Sequence, residues 1–379
     1  SHALHDSSPK TGGGQELGSR TIQEKEERRC NWYMAAIGPV TGAEFGRGVR
    51  WIFRSNVSPL GLPEGVARAI TAALPTADRY PDPLCRELRA KLALHEGVPA
   101  EQILCGNGAA DLIFRLVWAK KPRRALVTAP TFAEYATALE SVGCTVERFF
   151  LREQEDFAVT DAFCAAIRPG VDMVFLCQPN NPTGQLTALP LMEQILHRCA
   201  ACGTLLVVDE CFLDFLPDHA LHTAKGLLGE GNLVILKAFT KLYGMAGVRL
   251  GYALSADTAL LEQMQACGQP WGVSSLAQAA GLAALEETAY VEKVRALIAE
   301  QRPCLTAGLR ALGLRVLDGR ANYLLFQAPE TLGEALRQRG AVLRSCANYP
   351  GLGPGWYRTA VRTGPENEQL LKLLAEVLE

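Results

Sequence analysis

Between Arg124 and Leu254 the chain repeats one alternation: a short run of β-branched and large apolar residues, then a segment of helical spacing. The runs stand at Arg124–Thr128, Thr145–Phe150, Asp172–Cys177, Thr204–Asp209, Leu233–Lys237 and Val248–Leu254. Phe132–Ser141, Thr160–Ile167 and Leu189–Ala201, lying between them, space their apolar residues as one face of a helix does. Such alternation predicts an α/β fold with a mainly parallel sheet covered on both faces. Ligands of these sheets sit beyond the carboxyl ends of the strands. Polar residues gather at those ends here: Asn180 and Asn181 after one run, Asp209 closing the next, Thr240 and Lys241 after the one following.

Beyond about residue 275 the texture changes. An alanine- and leucine-rich helical stretch, Leu276–Leu312, leads into short strands near Leu314–Leu317, Asn322–Gln327 and Tyr357–Arg362, then a helix from about Pro365 to Leu378. This reads as a smaller α+β domain over 276–379, after a large domain over 51–275 whose first part, 51–75, is a linker. Residues 1–50 read as a separate N-terminal arm, marked by the charged run Glu24–Arg29. A chain of 379 residues, 48% of them hydrophobic, has enough apolar surface for two such units.

The charge balance, 38 basic against 40 acidic residues, speaks against a protein built to coat nucleic acid or an anionic membrane. No run approaches the roughly 18 apolar residues of a membrane span. Residues 1–29 hold no apolar run of a secretory signal, and the 12 cysteines show no framework spacing. A cytoplasmic location with free thiols is expected.

The chemistry concentrates in three short motifs in fixed order: Pro179-Asn-Asn-Pro-Thr-Gly184, then Val207-Val-Asp-Glu210, then Phe239-Thr-Lys-Leu-Tyr-Gly-Met-Ala-Gly-Val-Arg-Leu-Gly-Tyr252. Each alone is weak. In this order, each at the end of an expected strand, they resemble the fold-type I aminotransferase superfamily of pyridoxal-phosphate (PLP) enzymes. The resemblance implies a seven-stranded sheet sandwiched by helices, with Lys241 as Schiff-base lysine and Asp209 as partner of the pyridine nitrogen. Asn181 would then donate to the ring oxygen and Phe132 would stack on the ring. It also implies a phosphate cup from Gly108, the amides of Ala109 and Ala110 at a helix start, Thr240 and Arg249, since a helix N-terminus favours an anion. Tyr80 matches a tyrosine that reaches the phosphate of a neighbouring subunit, which implies a homodimer. Two departures stand out: Ala238 where many relatives have serine, and Phe212 where many have tyrosine.

The far end of the chain is more specific. Arg344-Ser-Cys-Ala-Asn-Tyr-Pro-Gly-Leu352, Tyr357-Arg-Thr-Ala-Val-Arg362, Arg320–Leu325, Pro270-Trp271 and Ser55–Gly61 are similar to the L-threonine-O-3-phosphate decarboxylases of cobalamin biosynthesis, kin of histidinol-phosphate aminotransferases. That resemblance covers roughly 51–379 and implies Arg358 on the substrate α-carboxylate, Arg344 on its phosphate, and Arg362, Asn56 and Asn181 nearby. Arginine suits both anions because its planar fork bonds two oxygens at once. Holding a small dianionic amino acid at both ends fixes which Cα bond stands perpendicular to the coenzyme, and orientation can contribute up to roughly 7–11 kcal/mol. The His-Gly-Gly segment usual near the N-terminus of these decarboxylases is missing, so L-serine O-phosphate stays open as a substrate. A histidinol-phosphate-type aminotransferase and a non-enzymatic ligand sensor are the rival readings.

No metal site is expected. Cys199 and Cys202 form a lone CxxC, read as packing; His219 and His222 beside Asp218 read as a surface loop. Glu210 should point away from Asp209, and Lys237 is a second lysine four residues before Lys241.

Overall fold

The computed structural model describes residues 49–379. The N-terminal arm, apart from its last two residues, lies outside them. The strands in chain order are β1 (Trp51–Ile52), β2 (Ile103–Gly106), β3 (Arg124–Ala129), β4 (Thr145–Phe150), β5 (Met173–Cys177), β6 (Leu205–Asp209), β7 (Leu233–Ala238), β8 (Gly251–Leu254), β9 (Arg315–Val316), β10 (Tyr323–Gln327), β11 (Ala341–Val342), β12 (Arg344–Ser345) and β13 (Trp356–Ala360).

Seven of them form the central sheet in the order β2-β8-β7-β6-β5-β3-β4. β3 to β7 pair in parallel, while β8 runs antiparallel to both its neighbours. The inner strands are continuous apolar runs, and every residue of β5 and β6 is buried, as a sheet covered on both faces requires. β4 lies at the edge, is only partly buried and leaves Phe150 exposed. The register sets Cys177 beside Asp209 and Asp209 beside Leu236. The polar residues after β5, β6 and β7 therefore meet at one edge.

The expected strand Val248–Leu254 starts late, at Gly251, because Arg249 takes a left-handed conformation (φ 63°) that a strand cannot contain. Gly251 is a close-approach position: a Cβ there would meet Ala109 N at 2.7 Å and Lys237 O at 2.9 Å. The short strand β2 is a feature the alternation did not reveal.

Beyond the central sheet, β12-β13-β10-β9 form an antiparallel sheet, and β1 pairs in parallel with β11. The expected single helix 276–312 is two, Ser275–Ala284 and Thr288–Ala311. The first is capped by the Ser274 hydroxyl, which accepts from Ala277 N at 3.1 Å, and it packs against the helix Glu64–Ala73. Gly281 lets it approach closely, since a Cβ there would meet Leu250 Cδ2 at 2.5 Å. The last helix, Gly364–Leu378, opens with a capping box in which Glu366 reaches back to Thr363 N at 3.1 Å. One apolar core runs beneath both sheets, with Ile235 and Leu254 from the first and Tyr323 and Phe326 from the second.

The segment after β1 bridges the two sheets by backbone hydrogen bonds. Phe53 accepts from Ala360 N at 2.8 Å, and Ser58 N donates to Lys241 O at 2.9 Å. The extended run Trp51–Pro63 thus spans from β13 to the turn that carries Lys241.

Candidate active site

Lys241 lies in the short helical turn Phe239–Leu242 directly after β7. Its side chain is half-buried, with Nζ 5.8 Å from the centre of the Phe212 ring. Burial, and next the Arg358 guanidinium, hold its amine below the ordinary lysine range. Its nucleophilic, uncharged form is therefore more accessible than that of a solvated lysine.

Asp209 ends β6 and is buried. Its carboxylate accepts from Tyr135 Oη at 2.6 Å and from Cys211 N at 3.0 Å. Both donors are neutral, and no basic side chain among the described residues forms an ion pair with it. A carboxylate buried without a cation is costly, so this one is set up for a cationic partner that the described residues do not supply.

The start of helix Ala109–Lys120 forms an anion cradle. Asn107 N donates to Asp111 Oδ2 at 2.9 Å, and Asp111 pairs with the buried Arg115 at 2.9 Å, which fixes the loop entering the helix. Gly108 (φ 82°) leaves room for Arg249: a Cβ there would lie 2.5 Å from Arg249 Nη2. Arg249 donates to Ala246 O at 3.1 Å and has no carboxylate partner among the described residues. Ala109 and Ala110 begin the helix, and Thr240 is buried beside Lys241. Phe132 stands before the helix Glu134–Ser141, its ring edge-on to Tyr135 at 5.5 Å.

Arg358 comes from the other sheet. It is buried and donates to Asn181 Oδ1 and, at 3.1 Å, to Arg54 O. With its amide oxygen turned inward, Asn56 accepts from Arg358 Nε at 3.1 Å and Nη1 at 3.3 Å. The guanidinium lies 5.4 Å from the centre of the Tyr323 ring, whose hydroxyl donates to Asn180 O at 2.9 Å. Arg344 is the registered partner of Arg358 on the β12–β13 ladder. It donates to Ser345 O at 2.8 Å and Asn348 Oδ1 at 3.0 Å, against the Tyr349 ring.

Two named residues stand apart. Arg362 is held by Glu366 at 2.8 Å at the start of the last helix. Tyr80 is 79% exposed and stacks on Trp271 at 4.4 Å, so it takes no part in this edge of its own chain.

Behind the edge lies a second charged group. Lys237 is buried between Asp214 (3.0 Å) and Glu96 (3.4 Å), and Glu96 also takes Lys225 at 3.1 Å and the Tyr252 hydroxyl. Burial lowers Lys237, but Asp214, Glu96 and Glu210 more than offset it and hold the amine above its ordinary range. Glu210 accepts from Ala224 N and the Thr223 hydroxyl, away from Asp209, and burial pushes it up to about 7. Sequence reasoning missed Tyr135 and Glu96, and it took in Tyr323 only as part of the motif Arg320–Leu325 with no role of its own. Tyr135 left a signal too, three residues after Phe132 where the start of a helix brings the two rings together.

Sheet order and polar edge together define a class, the PLP-dependent enzymes of fold type I. A buried acid awaiting a cation suits a pyridinium ring, and a helix start flanked by arginine suits its phosphate. The chain belongs to the aminotransferase class I and II family, whose sequence pattern matches residues 52–377. It is 40% identical over 330 residues to the threonine-phosphate decarboxylase of Salmonella typhimurium (strain LT2), covering 86% of this chain and 90% of that one. It is 36% identical to the histidinol-phosphate aminotransferase of Symbiobacterium thermophilum, covering 85% and 89%. The histidinol-phosphate aminotransferase structure from Clostridium acetobutylicum superposes with a TM-score of 0.82 at 26% identity, covering 87% of this chain and 99% of that one. No helix among the described residues is long and apolar enough to cross a membrane.

Proposed function

We propose that this chain decarboxylates L-threonine O-3-phosphate, yielding (R)-1-amino-2-propanol O-2-phosphate for cobalamin biosynthesis. One observation carries the reading. Arg344 and Arg358 are direct partners across an antiparallel ladder, so their side chains leave the same face of the sheet. Like charges so placed repel, and neither has a carboxylate partner among the described residues. A ligand with two anionic groups relieves that repulsion. The relative named threonine-phosphate decarboxylase supports the choice of ligand.

In this reading Arg358, fixed by Asn181, Asn56 and the Arg54 carbonyl, holds the α-carboxylate, and Arg344 takes the phosphate. PLP, when bound, accepts the electron pair left by the departing carboxylate. Asp209 keeps its ring nitrogen protonated; Gly108, Ala109, Ala110, Thr240 and Arg249 hold its phosphate; Phe132 and Asn181 hold its ring. Lys241 binds the coenzyme between turnovers and returns a proton to Cα. Arg362, paired with Glu366, would bind substrate from near the same pocket. Residues 51–275 and 276–379 serve as large and small domain. The working form is a cytoplasmic homodimer in which the exposed Tyr80 reaches the phosphate of the second subunit.

The test is direct. The protein with threonine phosphate should release CO2 without a keto acid acceptor, and Arg344→Ala should lower that rate far more than the rate on unphosphorylated threonine. Product formation only with 2-oxoglutarate, and from histidinol phosphate, would make it an aminotransferase. A higher rate on serine phosphate would change the substrate and keep the reaction.

A further inference from the structure

We propose that Tyr135 is a positioning residue that holds two parts of the coenzyme site at once, Asp209 through its hydroxyl and Phe132 through its ring. This rests on reading Asp209 as the partner of the ring nitrogen.

Tyr135 is fully buried in the first turn of helix Glu134–Ser141. One face of its ring stacks on Phe175 of β5, centroids 4.8 Å apart and planes 14° apart. Phe132 meets it edge-on at 5.5 Å and 80°. The ring is thus fixed by the sheet and in turn fixes the partly buried Phe132. The hydroxyl then has one strong acceptor, Asp209 Oδ2 at 2.6 Å. The loop carrying Phe132 is tied to the Asn181 loop as well: Thr131 donates to Asn180 Oδ1 at 2.8 Å, and Asn180 Nδ2 to Pro130 O at 3.0 Å.

A short hydrogen bond from a buried phenol has two effects on a carboxylate. It fixes the direction of the remaining lone pairs, and it holds the carboxylate in one place so that it can face a cationic partner. A carboxylate aimed in this way would keep a protonated pyridine nitrogen opposite it, and the cationic ring is the better electron sink. Packing alone explains the ring of Tyr135 and leaves its hydroxyl idle.

The experiment separates these roles in the coenzyme-loaded protein. Tyr135→Phe keeps the ring and deletes the hydroxyl. Its PLP dissociation constant should rise several-fold, because the carboxylate that faces the ring nitrogen loses the bond that aims it. The pH midpoint of the coenzyme's visible absorbance should move up, as the ring becomes less cationic. Tyr135→Leu, which also frees Phe132, should weaken PLP binding further. In an Asp209→Asn background, Tyr135→Phe should change neither quantity further. Unchanged PLP affinity and midpoint in Tyr135→Phe, even with lowered thermal stability, would overturn the proposal. Unchanged values in Asp209→Asn alone would instead overturn the role given to Asp209.

Discussion

Two lysines stand four residues apart, one at the end of β7 and one in the turn beyond it, and their surroundings drive them in opposite directions. Lys237 faces Glu96, Asp214 and Glu210 and is held protonated. Lys241 faces Arg358 and Arg249 and is lowered by burial and by those charges. Burial acts against the charged form in both. The carboxylates reverse that effect at Lys237, while at Lys241 burial prevails, so one segment carries a structural cation and a reactive amine.

The largest effect that tests this contrast is loss of the reactive member. Lys241→Ala should cut turnover by more than about a thousand-fold and leave no borohydride-reducible coenzyme adduct, with little change in melting. An adduct persisting on Lys237 would reverse the assignment. Lys237→Met should behave oppositely. Removing one partner of a buried ion network costs about 3–5 kcal/mol, read as a lower denaturation midpoint, while the adduct at Lys241 survives.

Acid should find the same division. Glu96 is desolvated, yet Lys237, Tyr252 and Lys225 hold its carboxyl at about 2, from an ordinary 4.5. Its folded pKa lies below its unfolded one, so its stabilisation is complete above 4.5 and fades as pH falls toward 2. That contribution is on the order of 3 kcal/mol and should shrink markedly in Lys237→Met, as pH-dependent denaturation would record. The smallest expected effect belongs to Arg358→Gln: with that cation gone, Lys241 in the coenzyme-free protein should titrate at higher pH, measurable by pH-dependent amine labelling. An unchanged titration would remove Arg358 from the contrast.

Much of this architecture is legible in the chain itself. The apolar runs of β5, β6 and β7 announce a doubly covered sheet because burial on both faces leaves no room for alternation. Asn181, Asp209 and Lys241 are legible because each follows such a run. Legibility ends where residues meet by tertiary approach alone. Glu96 reaches Lys237 from the end of the helix Arg86–Glu96, and nothing in the sequence between them records that contact. The late start of β8 depends on one backbone conformation at Arg249, which residue type does not reveal. Arg362 shows the converse: its motif places it beside Arg358, but a capping glutamate four residues on claims its guanidinium.

The backbone bridge from Phe53 to Ser58 carries a last consequence. Its main-chain attachments to β13 and to the lysine turn fix its length, and the Asn56 side chain ties it to Arg358 as well. Deleting one residue between Phe53 and Asn56 would pull the Asn56 amide off Arg358 and Ser58 N–H off the Lys241 carbonyl in a single step. Across relatives this stretch should hold its residue count between Phe53 and Ser58.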